Sequence, residues 1–180
     1  MAFVEGVGDF TRVDAYEFAG ASLVTLDAEN VLIAYGVPTV RWAAHTAICN
    51  MMELSRPPAI AVATNNHDSE YIAGLREGLP EGIPIFSGLE YANKKTSPEM
   101  FLAAAEHFDV DPADAIHVDD QWLSFRGAKL AGFRRGLLVK PFGRNHHAGV
   151  KVGRLLDVPI RTSLRVGVAI QDFITDGFDA

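Results

Sequence analysis

Four acidic residues stand in two short clusters that could carry out chemistry together. Asp27 and Glu29 come just after one apolar run, and Asp119 and Asp120 come just after another. Carboxylates held close together repel each other unless they are protonated, paired with bases or bound to a cation. Mg²⁺ prefers such oxygen ligands, and it binds substrate phosphate while keeping several waters. If the two apolar runs are neighbouring strands, these residues predict a magnesium site.

The elements that must position these acids are strands buried on both faces. Continuous apolar runs rich in β-branched residues, each followed by a turn signal and a helical pattern, recur at 21–26, 59–64, 83–86, 115–118 and 136–139. Such runs are typical of a parallel sheet covered on both sides. Polar residues at the carboxyl ends of the strands, including Thr64, then line the ligand crevice.

Helical patterns fill the intervals between the runs. They cover 39–56, 68–78 with Asp68 as cap, a segment opened by Ser97 and Pro98, and 124–131. Alternating strands and helices predict an α/β fold, a three-layer Rossmann-like open parallel sheet of about five strands. We expect one domain over 1–180, with a core at about 20–141 and the segment 142–180 packed on it. His117 lies within a predicted strand, where a hydrogen-bonded core position is expected.

Composition excludes several classes of protein. The 180 residues are 48% hydrophobic, and the single cysteine, Cys49, cannot form an internal disulfide. A net charge of −7 argues against nucleic-acid binding through phosphates. The N-terminus carries Glu5 and Asp9 where a signal peptide would be basic, and no run reaches the roughly 20 apolar residues of a membrane span. We expect a cytoplasmic protein without a transmembrane segment.

Charge is unevenly distributed along the chain. Between residues 134 and 165 there are eight basic residues and one acid, Asp157, so a basic C-terminal segment accompanies an acidic body. One interpretation is a solvated surface paired with acids of the body. The other is a basic surface that attracts an anionic substrate or an acidic membrane headgroup. The sequence is compatible with peripheral membrane contact and with a homo-oligomer.

Four motifs together resemble the haloacid dehalogenase (HAD) superfamily of phosphohydrolases. The run LVTLDAENVLIAYG resembles the first motif at Asp27, and AVATNN resembles the second at Thr64. KTSPEMFLAAA is similar to the third at Lys95, with Lys94 as the alternative, and IHVDDQ is similar to the fourth, the paired acids. The motifs occur in the family's order, and the likeness in strand and helix pattern extends to about residue 141.

The resemblance implies a Mg²⁺-dependent phosphomonoester hydrolase that works through an aspartyl-phosphate. Asp27 takes the place of the nucleophile and Glu29 that of the general acid/base, while Thr64 and Lys95 would hold phosphoryl oxygens. The metal would be bound by Asp27, by the carbonyl of Glu29 and by one of the paired acids. We favour Asp120 over Asp119, because Asp119 replaces a glycine common in the family.

Two departures support an alternative function. Glu29 stands where the family usually has Asp, and Phe125 stands where many relatives carry a further acid. The chain could therefore be a catalytically weak or inactive HAD-like domain that binds a phosphorylated ligand or a protein partner. An unrelated flavodoxin-like or receiver-like domain would share the sheet and the acidic pocket.

Motif spacing also bears on the substrate. Thr64 follows Asp27 by 37 positions and Lys95 follows Thr64 by 31, which leaves no room for a cap domain. By resemblance, capless members often select large substrates, such as phosphoproteins, nucleic-acid ends or phospholipid headgroups, or else use a lid from a neighbouring subunit. The likeness is greatest to subfamily IIIA phosphatases related to phosphatidylglycerophosphate phosphatase, which would make a lipid headgroup the substrate.

Overall fold

The computed structural model describes residues 3–91 and 94–141, without the side chain of Lys94. The predicted packing of the basic segment 142–180 lies outside the described residues. Within the described ranges, no helix has the length and apolar character needed to cross a bilayer.

In the part of the chain that the structure describes, six strands form one sheet in which every pairing is parallel. The strands are β1 (Val4–Asp9), β2 (Leu23–Leu26), β3 (Ala59–Thr64), β4 (Ile85–Ser87), β5 (Ala115–Asp119) and β6 (Arg135–Lys140). Their order across the sheet is β1-β6-β5-β2-β3-β4. The predicted Rossmann-like parallel sheet is confirmed, with one strand more than expected.

Strand β2 lies between β3 and β5, and this position brings the two acidic clusters together. Leu26 is in register with Val118 of β5, and the next amide, that of Asp27, donates to the Val118 carbonyl at 2.9 Å. Because parallel strands end at the same edge, the residues that follow β2 and β5 start side by side.

The sequence prediction missed β1. Only Val4 of this strand is fully buried, and Gly6 and Gly8 interrupt its apolar pattern. Among the described residues β1 is an edge strand paired with β6 alone, and its register shifts between Gly6 and Asp9. An edge strand needs no continuous apolar run, because one side of it has no partner strand.

The helices that cover the sheet within residues 3–91 and 94–141 are α1 (Trp42–Met52), α2 (Ser69–Gly78), α3 (Glu99–His107) and α4 (Phe125–Leu130). The Asp68 carboxylate caps α2 as predicted, accepting from the amides of Glu70 and Tyr71. α1 is shorter than the predicted 39–56. The expected cap at Ser97 is wrong, because Pro98 occupies the cap position of α3 and no side chain caps that helix.

The two faces of the sheet bury separate apolar clusters. α1 and α2 pack on one face through Ile48 and Leu75, and α3 and α4 pack on the other through Phe101 and Ala128. Adjacent β2 residues go to opposite clusters, as the two-residue period of a strand requires. Covered faces explain why the central strands are continuous apolar runs.

Candidate active site

Asp27 begins a tight, buried loop at the carboxyl end of β2. The Leu32 and Ile33 amides both donate to the Ala28 carbonyl at 3.0 Å. Asn30 adopts a left-handed conformation with φ of 64°, which Asn tolerates better than most residues. The loop therefore fixes Asp27, which is 2% exposed.

Lys95 joins the two acidic clusters. Its Nζ donates to Asp27 Oδ1 and to Asp119 Oδ2, both at 2.6 Å, and the residue is 3% exposed. Its backbone amide donates to Asn65 Oδ1 at 2.7 Å. The structure thus places Lys95 between the acids that follow β2 and β5, whereas the side chain of Lys94, the alternative, lies outside the described residues.

Gly127 of α4 allows the Lys95 segment to pack closely. A Cβ at this position would collide with the backbone carbonyls of Lys95 and Ser97. Only glycine lets the helix approach that segment so closely, because any side chain would force the carbonyls away. The placement of Lys95 therefore depends on a residue of the neighbouring helix.

Three buried carboxylates form a group suited to a cation. Asp27, Asp119 and Asp120 each offer one oxygen, and these oxygens lie within 4.8 Å of one another. Burial first, and then the charge of Asp119, hold the pKa of Asp27 well above its usual range despite Lys95. Clustered carboxylate oxygens of this kind are the ligands that Mg²⁺ prefers, so the residues present fit Mg²⁺.

Asp119 is engaged at both of its oxygens. Oδ1 accepts from the Gln121 amide at 2.8 Å, and Oδ2 faces Lys95 Nζ and His117 Nε2 at 2.6 and 3.3 Å. Burial alone would raise the pKa of Asp119, but Lys95 and His117 outweigh it and lower the pKa to about 2. Lys95, His117 and the Gln121 amide therefore hold Asp119 in place, and the choice of Asp120 over Asp119 as the metal ligand stays a prediction.

Glu29 and Thr64 are also brought together. The Thr64 hydroxyl donates to Glu29 Oε2 at 3.2 Å, and Asn66 Nδ2 donates to Glu29 Oε1 at 3.4 Å. The Asn66 amide in turn donates to Thr64 Oγ1 at 3.1 Å. In this arrangement the hydroxyl proton of Thr64 faces Glu29, so the hydroxyl must rotate before it can donate to a phosphoryl oxygen.

His117 has the hydrogen-bonded core position that its strand predicted. Its Nδ1 lies 2.9 Å from Thr25 Oγ1, and its ring packs against Phe101 and Phe125. Burial lowers the pKa of His117 despite the opposing effect of Asp119, so the ring is neutral at neutral pH. The tautomer that satisfies both neighbours donates from Nε2 to Asp119 and accepts at Nδ1 from Thr25.

Phe125, the second departure from the family pattern, belongs to the core. It is 3% exposed and clusters with Val4 and Leu138. Gly136 lies so close that a Cβ there would meet the Phe125 ring. Position 125 therefore contributes packing and no metal ligand.

Sequence reasoning missed one residue beside Glu29, namely Asn66, whose Nδ2 donates to Glu29 Oε1. Asn66 follows Thr64 at a strand end and could have been recognised by that position.

No model of a protein family matches this chain, and no curated protein sequence does. Solved structures do resemble it. An uncharacterized protein from Corynebacterium glutamicum is 22% identical with a TM-score of 0.50, over 74% of this chain and 93% of that one. D,D-heptose 1,7-bisphosphate phosphatase from B. bronchiseptica, complexed with magnesium and phosphate, is 20% identical with a TM-score of 0.52, over 65% and 79%.

A third similar structure comes from Mesorhizobium loti. This protein, provisionally named a HAD-like phosphatase, is 16% identical with a TM-score of 0.52, over 76% of this chain and 85% of that one. At such identities the likeness concerns the fold. The fold of this chain therefore resembles the fold of these solved structures.

Proposed function

We propose that this chain is a Mg²⁺-dependent phosphomonoester hydrolase that acts through an aspartyl-phosphate on Asp27. One observation carries the proposal, the Lys95 ammonium held at 2.6 Å from both Asp27 and Asp119. Asp120 lies in the same buried group of acids. A nucleophile, a fixed cation and a metal-binding set thus share one edge of the sheet.

In the first half of the reaction, a carboxylate oxygen of Asp27 attacks phosphorus as the ester P–O bond breaks. Glu29 gives its proton to the departing oxygen, and Lys95 stabilises charge on the phosphoryl oxygens. General-acid assistance of this kind contributes about 10² to 10⁴-fold. Lys95 also keeps Asp27 in place before the substrate binds.

In the second half, water attacks phosphorus and the bond to Asp27 breaks. Glu29, now a carboxylate, takes the proton of the water, so Asp27 and Glu29 both return to their starting states. A divalent cation held by Asp27, the Glu29 carbonyl and Asp120 would neutralise charge on the phosphoryl group. The covalent intermediate divides one displacement with a high barrier into two displacements with lower barriers.

We propose a large phosphorylated substrate, specifically a phosphorylated lipid headgroup, as in subfamily IIIA relatives of phosphatidylglycerophosphate phosphatase. Among the described residues, the segments from Asp27 to Thr64 and from Thr64 to Lys95 contain one helix each and no cap. The basic stretch from 134 to 165 would attract an anionic surface. We further propose a cytoplasmic location and no nucleic-acid partner.

The second candidate function is a domain that binds a phosphorylated ligand or a protein partner with little or no turnover. The buried phenyl ring at position 125 favours it, because a further acid is absent from that place. Glu29 in place of Asp favours it as well.

Hydrolysis of an aryl phosphate with Mg²⁺ and with EDTA tests the two functions. Mg²⁺-dependent release that disappears in Asp27→Asn supports the phosphatase. Asp109→Asn is the matched control, because Asp109 is exposed and has a φ of 54° that Asn also tolerates. Failure to hydrolyse any member of a broad phosphate panel, with ligand binding retained, supports the second function.

Co-sedimentation with vesicles tests the substrate class. Binding to vesicles that contain phosphatidylglycerol, stronger at low than at high salt, would support a lipid headgroup. Equal binding to neutral and anionic vesicles would refute the lipid headgroup as substrate, and the proposed phosphatase activity would not be affected.

A further inference from the structure

His117 is a fully buried polar side chain beside the site, and the proposed reaction gives it no part. It lies in β5 two residues before Asp119, so the alternation of a strand puts both side chains on the same face of the sheet. Its exposed fraction is 0%. A polar ring buried to this extent needs hydrogen-bond partners, and its partners indicate its role.

Both ring nitrogens of His117 face a partner. Nδ1 lies 2.9 Å from the hydroxyl oxygen of Thr25, the residue in register with it on the adjacent strand β2. Nε2 lies 3.3 Å from Asp119 Oδ2. An ionised carboxylate can only accept hydrogen bonds, so Nε2 donates to Asp119 and Nδ1 accepts from Thr25. The ring therefore links β2 to the Asp119 carboxylate.

Aromatic packing keeps the His117 ring in one orientation. Phe101 of α3 and Phe125 of α4 contact it edge-to-face, with ring centroids at 4.8 and 5.4 Å. Both phenylalanines are buried, with exposed fractions of 3% or less. Side chains in a close-packed interior cannot turn freely. The two helices on this face of the sheet thus hold Nε2 next to Asp119.

The orientation of Asp119 determines the orientation of the Lys95 ammonium. This group has three N–H donors, and two of them point to Asp27 Oδ1 and Asp119 Oδ2, both at 2.6 Å. The third N–H remains for a phosphoryl oxygen. Because the three N–H bonds diverge at fixed angles, the directions of two of them fix the third. A change in the position of Asp119 Oδ2 would therefore turn that N–H away from the substrate.

We propose that His117 is a positioning residue that fixes Asp119 Oδ2 and thereby directs the third N–H of Lys95 toward the transferred phosphoryl group. This inference rests on the proposed phosphatase function. His117 transfers no proton in this role, since its ring keeps one donor and one acceptor throughout the reaction. It acts through Asp119 and Lys95 and does not touch the substrate.

Two replacements of His117 distinguish positioning from packing. His117→Phe keeps an aromatic ring between Phe101 and Phe125 but has no donor, whereas His117→Gln loses the ring and keeps an amide N–H donor. The Phe variant should lower kcat for Mg²⁺-dependent hydrolysis of an aryl phosphate about 10- to 100-fold, the range for a hydrogen bond to a charged group. The Gln variant should recover most of that activity. A role in packing alone predicts the opposite order, because glutamine fills the space of the ring less well.

His107→Phe is the matched control for these measurements. His107 is an exposed residue at the end of α3, on an element that carries none of the proposed catalytic residues. The same substitution there should leave kcat within about twofold of the wild type.

The nitrogen resonances of the His117 ring test its hydrogen bonds without turnover. In the wild-type protein with ¹⁵N-labelled histidine, NMR should find the proton of this ring on Nε2 and none on Nδ1. Thr25→Val identifies the resonance, because it removes the hydroxyl at Nδ1 and leaves His117 in place.

Two results would overturn the inference alone in a protein that hydrolyses phosphates. One is a proton on Nδ1 of His117, and the other is an activity of His117→Phe equal to that of His107→Phe or above that of His117→Gln. A wild-type protein without turnover on any phosphate would instead refute the proposed function and, with it, the positioning role.

Discussion

Replacing Lys95 by Met removes the ammonium group that pairs with both Asp27 and Asp119. Methionine has a similar length and no charge, so the main change is electrostatic. Both ion pairs are almost fully buried, with side-chain exposures of 3% or less. Removing one partner of a buried pair costs about 3–5 kcal/mol, because the remaining charges lose their compensation.

The loss should appear as a fall in Tm on the order of 10 °C for a chain of this size, measured in EDTA. Mg²⁺ should recover part of that loss, because the cation neutralises the same carboxylates. Adding Asp119→Asn should also recover part of it, since one of the repelling charges is then gone.

Lys129→Met is the control for these measurements. Lys129 is exposed on α4, and a surface change of this kind should alter stability by no more than about 0.5 kcal/mol. If Lys95→Met behaves like Lys129→Met, or if neither Mg²⁺ nor Asp119→Asn restores stability, the electrostatic account of the site is wrong.

Three further changes test separate parts of the account. Asp27→Asn keeps an acceptor for Lys95 but removes a buried carboxylate, so it should raise the Tm measured by thermal unfolding in EDTA. Because the variant lacks the nucleophile, phosphate release should fall by at least about 10³-fold. Gly127→Ala should displace the Lys95 segment and lower both stability and kcat, whereas the exposed Gly8→Ala should change neither, since a Cβ at Gly8 meets nothing. Asp68→Ala should cost about 1 kcal/mol in urea unfolding through loss of the α2 cap, and a change below about 0.3 kcal/mol would contradict that assignment.

The central strands and the site acids could be predicted from the sequence for a physical reason. β3 was predicted with its correct bounds, because a strand buried on both faces must be apolar at every position. Asp27 and Asp119 could be paired across 92 positions, because parallel strands bring their carboxyl ends to one edge. The bounds of β3 and the proximity of the two acids could both be predicted from the sequence alone.

Other features depend on contacts that leave no periodic signal. β1 is an edge strand with two glycines and a single buried residue, so its pattern resembles a loop. Gly127 matters only because α4 meets the backbone of Lys95. Such relations between elements emerge from packing and cannot be read from spacing.

The covalent state of Asp27 during turnover tests the central claim most directly. Acid quenching of the wild-type protein with an aryl phosphate and Mg²⁺, followed by peptide mass spectrometry, should find one phosphoryl group on the peptide that contains Asp27, and none in EDTA. Phosphate release without modification of Asp27, or modification of a different residue, would contradict the account.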